Sequence, residues 1–203
     1  MTAKPSGAVN YMPRWNAAGT KIAFTREVGG GMPAREIFTM NPDGSSLTRL
    51  TSNGWADEFP HWSPDGTRIV FASYRDGNAE IYVMNADVTN QMRLTSSPGL
   101  DHGPSWPPDG SRIAFISERT GVSEVFTMAP DGCSLTQLTV ASEQVPSWPV
   151  PAWSPDGSRI AYQRTIGGVS SVWTMRADGT DGRLLRMAPP GVVWEHVASW
   201  RAP

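Results

Sequence analysis

Cysteine is almost missing from this sequence. Cys133 stands alone among 203 residues, so no internal disulfide forms. It sits in a turn segment and reads as a small loop residue, since reactivity needs a thiol pKa lowered by its surroundings. Histidine is scarce too, with three residues, which makes a His-based zinc or nucleophile site hard to assemble. No stretch approaches the ~20 apolar residues of a membrane-spanning helix. Residues 1–10 lack the roughly 7–15-residue apolar core of a signal peptide. An excess of either charge is also absent, with 17 basic residues against 19 acidic ones. That leaves no electrostatic ground for a nucleic-acid or anionic-membrane partner. Neither G-x-S-x-G, H-E-x-x-H nor G-x-x-x-x-G-K-[ST] occurs, so the common hydrolase, metalloprotease and phosphate-loop signatures are missing.

Glycine (20) and proline (18) are abundant, and apolar residues make up 39%. That composition favours many short strands joined by tight turns around a real core. The chain also repeats itself. Trp15, Trp62, Trp106, Trp153 and Trp200 recur 44 or 47 residues apart. Met40, Met84, Met128 and Met175 close the runs EIFTM, EIYVM, EVFTM and SVWTM. The segments IAF, IVF, IAF and IAY start at Ile22, Ile69, Ile113 and Ile160.

Each repeat reads as four short strands. The first ends at the tryptophan, as in Phe59 to Trp62. The turn Ser63-Pro64-Asp65-Gly66 follows, with proline presetting φ and glycine closing the turn. It recurs as Pro107-Pro108-Asp109-Gly110 and Ser154-Pro155-Asp156-Gly157, and decays to Asn16-Ala17-Ala18-Gly19 in the first repeat. The second strand, Thr67 to Ser73, is apolar almost throughout, which predicts burial on both faces. The third spans Glu80 to Met84. The fourth spans Gln91 to Thr95 and ends in Arg-Leu-Thr, an ending shared by Leu50-Thr51 and Leu138-Thr139. Units of this length with two-faced sheets are propeller blades, each covering its neighbours. The sequence therefore predicts an all-β chain, a β-propeller of four-stranded antiparallel blades. After a tail at 1–9, four full repeats fall at about 10–52, 53–96, 97–140 and 141–186. The first strand of a fifth lies within 187–203. An arc of this kind is an open or partial propeller, completed by another chain or by further blades, and its open edges predict self-association; a compact four-blade ring with a stray strand is the alternative.

The pattern D-x-x-P-x-W-S-P-D-G, then I-x-F, E-I-Y-x-M and R-L-T, resembles the TolB-type propeller repeat, a relative in architecture of the WD-type repeats. Asp57 to Gly66 matches its head completely. Asp101 to Gly110 has Pro107 for serine, and Trp148 stands where the fourth repeat should carry aspartate. In the fifth, Glu195 holds the acidic position and Trp200 is kept. The resemblance implies a periplasmic or extracytoplasmic scaffold that binds a protein partner through its loop rim and central funnel, without catalysis or cofactor. Propellers of this kind also serve larger enzymes, gating peptidases or acting as polysaccharide lyases, and that is the alternative reading.

The loops from each fourth strand to the next first strand share one rim with the second-to-third-strand turns. Every length difference between repeats falls on that rim, including the stretch from Glu27 to Met32. The candidate binding residues lie there: Trp55, Trp148 and Trp194, partly exposed aromatics of the kind enriched in binding hot spots, and Asp57, Asp101, His102 and Glu195 at the channel mouth. The alternative for the carboxylates is to accept backbone N–H bonds and fix their own loops. His61 is expected to face the neighbouring blade or solvent and to be inert. No metal site is predicted.

Overall fold

In the computed structural model, residues 9–29, 34–140, 150–166, 168–189 and 200 are described. Sixteen strands form four antiparallel sheets of four, each ordered as in the sequence. The first blade holds β1 (Asn10–Trp15), β2 (Ile22–Val28), β3 (Ala34–Met40) and β4 (Thr48–Arg49). The second holds β5 (Asp57–Trp62), β6 (Arg68–Ser73), β7 (Glu80–Asn85) and β8 (Met92–Arg93). The third holds β9 (Asp101–Ser105), β10 (Ile113–Ser117), β11 (Glu124–Met128) and β12 (Thr136–Gln137). The fourth holds β13 (Ala152–Trp153), β14 (Arg159–Ile166), β15 (Val169–Arg176) and β16 (Arg183–Met187). The fold is thus the blade architecture the repeat predicts. Of the expected fifth first strand, only Trp200 is among the described residues.

The unbroken apolar second strands make sense once the blades stack. Neighbouring residues of a strand point to opposite faces. Ile69 and Phe71 pack with Ala23 and Ile37 of the first blade. Val70, between them, packs with Ile113 and Phe115 of the third. Ala114 and Ile116 then meet Ile160 and Tyr162 of the fourth. The second and third sheets are therefore covered on both faces.

The recurring glutamate and threonine form a buried latch. Thr51 Oγ1 donates to Glu36 Oε2 at 2.5 Å, and Thr95 Oγ1 to Glu80 Oε2 at 2.6 Å. Thr139 bonds Glu124 in the same way. Each threonine hydroxyl also accepts the third strand's N–H, as from Ile81 at 2.9 Å. Arg49 and Arg93 complete the first two carboxylates at 2.7 Å. A buried carboxylate needs such partners to remain charged.

The latch shortens the outer strands. Where Gln91 to Thr95 was expected as a strand, only Met92–Arg93 pair, because the Thr95 side chain replaces the next ladder carbonyl. In the fourth blade Ser171 and Arg186 occupy the latch positions, and the outer strand runs five residues. The inner strands share another device. Met12, Phe59 and Gly103 adopt positive φ at a bulge, each followed by a proline. A strand with a free edge accommodates that proline without losing a ladder bond.

Replacing Phe115, which is fully buried between the second and third blades, with alanine is expected to cost about 3–5 kcal/mol. Leu184→Ala, at a residue 45% exposed, is expected to stay within about 0.5 kcal/mol of the parent. Urea unfolding of both variants checks this, and equal costs would contradict the stacking of these faces.

Candidate functional site at the propeller axis

Three of the sequence-predicted residues, Asp57, Asp101 and His102, lie where inner strands begin. Asp57 and Asp101 open β5 and β9 and are fully buried. Asp57 accepts from Asn53 Nδ2 at 2.8 Å and pairs with Arg75 at 3.3 Å. Asp101 pairs with Arg119 at 2.8 Å. The guanidinium groups stack on Tyr82 and Phe126, at 4.4 and 5.0 Å from the ring centres. Each carboxylate thus ties the incoming loop to the turn after the second strand. Backbone N–H groups were the expected donors; arginine and asparagine side chains fill that place. His102 is buried, its ring 6.1 Å from that of Phe59. Trp55 stands 54% exposed on the connecting loop, its N–H donating to Asn53 Oδ1. Trp148, Trp194 and Glu195 lie outside the described residues. Among the described residues, no cluster of three His, Cys, Asp or Glu side chains is placed to hold a metal.

A second site lies at the opposite end of the inner strands, about 15 Å away at the rise of a β-strand. There the tryptophans that mark the repeat converge. Trp15, Trp62, Trp106, Trp153 and Trp200 all line one cavity of about 470 Å³. Prolines of the tight turns, among them Pro64, Pro108 and Pro155, complete its wall. Residues from all four blades and from Trp200 share this lining, which places it on the axis the blades surround. Its volume falls in the roughly 300–1,000 Å³ range of ligand pockets.

The tight turns position these walls. Ser63 Oγ donates to Asp65 Oδ1 at 2.5 Å, and Ser154 Oγ to Asp156 Oδ1 at 2.6 Å. Those hydroxyls hold the two aspartates near pKa 2, helped by the backbone N–H bonds from Thr67 and Ser158. Indole N–H groups then bridge blades: Trp153 Nε1 donates to the Ser105 carbonyl at 3.2 Å, and Trp200 Nε1 to that of Ala152 at 2.8 Å. Arg68 lies 5.1 Å above the Trp106 ring. Trp62 and Trp106 are buried, whereas Trp15 is 57% exposed.

The residue before each tryptophan varies: Arg14, His61, Ser105 and Ala152, all in the lining. Among the described residues, no carboxylate lines the cavity. His61 does face the neighbouring blade, accepting from Trp106 N–H at 3.3 Å. Burial, with Arg14 beside it, lowers its pKa to about 4. Among the described residues, Arg14 is therefore the one charged group of the lining at neutral pH. The sequence alone did not reveal this site, because the tryptophans served as markers of the repeat.

Two adjacent buried groups at the other end oppose each other with pH. Burial lowers His102 to about 4 and raises Asp101 to about 6, the latter despite Ser117 and Arg119. His102 takes up a proton on unfolding, so its share of stability is complete above pH 6.5 and lost as pH falls towards 4. Asp101 holds its proton more tightly when folded, so its share is complete below about pH 4 and lost as pH rises through 6. Each contribution is on the order of 3 kcal/mol. Urea midpoints of His102→Gln should therefore rise relative to the parent between pH 6.5 and 4, and those of Asp101→Asn should fall. Shifts of the same sign would contradict these assignments.

The family model of the TolB β-propeller domain matches residues 55–188. A Tol-Pal system protein TolB from Rhizorhabdus wittichii is 44% identical over 57 residues, 28% of this chain and 12% of that protein. A TolB homolog from Chlorobium luteolum is 32% identical over 80 residues, 39% of this chain and 17% of the relative. The chain thus spans about a fifth or less of the length of the curated relatives it matches. Among solved structures, a TolB-type protein from Agrobacterium tumefaciens superposes with a TM-score of 0.74 at 20% identity, covering 88% of this chain and 81% of that one. A puromycin hydrolase superposes at 0.71 and 19% identity, covering 98% of this chain and 34% of that one. These likenesses agree on one architecture, and with two thirds of its length matching the family model, the chain belongs to the TolB β-propeller domain family.

Proposed function

We propose that this propeller is a non-catalytic scaffold that binds a protein partner through an extended apolar segment seated in the axial cavity. The convergence of five tryptophans and the turn prolines on one cavity carries the reading. Aromatic walls supply large contact area at low entropic cost. Two of the serines in the lining give their hydroxyls to turn aspartates, and the one histidine is neutral with its Nδ1 engaged. Neither arrangement activates a nucleophile. The Tol-Pal relative supports a protein as the partner class. A second reading, the propeller domain of a larger enzyme, draws support from the puromycin hydrolase, of which this chain covers only 34%.

Panning a random peptide library against the chain tests the proposal. Binders are expected whose affinity falls at least about tenfold on Trp15→Ala, the loss of one aromatic contact worth about 1.4 kcal/mol or more. Trp55→Ala, on the loop rim, is expected to leave that affinity unchanged. Binders lost on Trp55→Ala and kept on Trp15→Ala would move the site to the other rim.

A further inference from the structure

Arg14 is out of balance with its surroundings. Among the described residues, arginines 35, 49, 75, 93, 119, 159, 176 and 183 have a carboxylate within ion-pairing distance, whereas Arg14, Arg26, Arg68, Arg112, Arg164 and Arg186 have none, and of those six only Arg14 lines the cavity. Arg14 makes no such ion pair there. Its one recorded hydrogen bond is a long 3.4 Å contact to the carbonyl of Pro13, its own chain neighbour. Arg14 is half-buried, and that burial pulls its pKa below the ordinary arginine value. Its nearest charged influence inside the cavity is on His61, which it helps to keep neutral.

The position matters as much as the charge. Arg14, His61, Ser105 and Ala152 occupy the same place in successive inner strands, directly before the wall tryptophans. The walls repeat, whereas this ring of four does not. A constant apolar wall with one variable cation provides general affinity from the wall and selectivity from the cation. A guanidinium forms two parallel hydrogen bonds with a carboxylate, and such charge-assisted bonds strengthen where water is thin.

Resting on the cavity as the binding site, we infer that its occupant is an extended, proline- or aromatic-containing peptide segment bearing a carboxylate, which Arg14 takes. Either an aspartate or glutamate side chain or a free C-terminus supplies that group. Trp15, exposed beside Arg14, packs on the residue next to it.

Two peptide libraries distinguish the sources, one with free and one with amidated C-termini, both panned against the parent chain and against Arg14→Gln. Circular dichroism confirms that the variant is folded, and Arg14→Lys serves as the conservative replacement. The expected result is enrichment of Asp or Glu beside Pro or aromatic residues in the amidated library, or preference for the free terminus in the other. Parent affinities should exceed those of Arg14→Gln by about tenfold or more, as a hydrogen bond to a charged group is worth roughly 1.5–3 kcal/mol, with Arg14→Lys between them. Binders that need Trp15 but show no acidic preference would overturn this inference and leave the cavity as the site. An absence of binders that need Trp15 would overturn both. Trigalacturonate binding that needs Arg14, with no acidic peptide binding, would replace the peptide with an acidic sugar and overturn the inference.

Discussion

Everything in this chain depends on sheets that must be covered on both faces. A lone four-stranded sheet with Ile69 and Phe71 on one side and Val70 on the other would expose apolar surface in either direction. Stacking resolves this, and the alternation of Ile22, Ala23 and Phe24 through Ile160, Ala161 and Tyr162 repeats the solution. Burying such side chains contributes about 25 cal/mol per Å² of apolar surface. Cooperation between blades follows, because removing the second or third uncovers two others.

Stacking also dictates where polar chemistry goes. The third strand opens with a glutamate buried between blades, so it carries its own threonine and, in two blades, an arginine. The inner strand opens with an aspartate tied to an arginine eighteen residues on in the second and third blades. Both devices fix loops to sheets at the end opposite the axial tryptophans. They account for most of the charged residues a sequence reader singles out, and they direct those charges inward. At the opposite end, the described lining of the cavity is walled by tryptophan and proline, with Arg14 as its charged group.

The fold was legible because its cause is local and repeated. Period, turn chemistry and two-faced strands all follow from residue type at fixed spacing. The site was less legible. Asp57 and Asp101 stood out as acids, but their arginine partners are set by the turn after the second strand, which the head motif does not include. The axial tryptophans were visible from the outset, yet a one-dimensional pattern does not show that five residues tens of positions apart meet around one axis. Arg14 carried no signal at all until its lack of a carboxylate was visible in space. The long outer strand of the fourth blade did have a signal: Leu184-Leu185-Arg186 replaces the Arg-Leu-Thr ending, and Ser171 replaces the glutamate it would latch.

Native-state hydrogen exchange, resolved by strand, most directly tests whether these sheets form one stacked unit. Amides of β6, β7, β10 and β11, enclosed by neighbours on both sides, should exchange only through global unfolding, with a common free energy and a common denaturant slope. Amides of the two-residue outer strands should exchange earlier, through local opening. Four separate free energies, one for each blade, would mean that the sheets stand independently and that no shared axis, and so no axial cavity, exists.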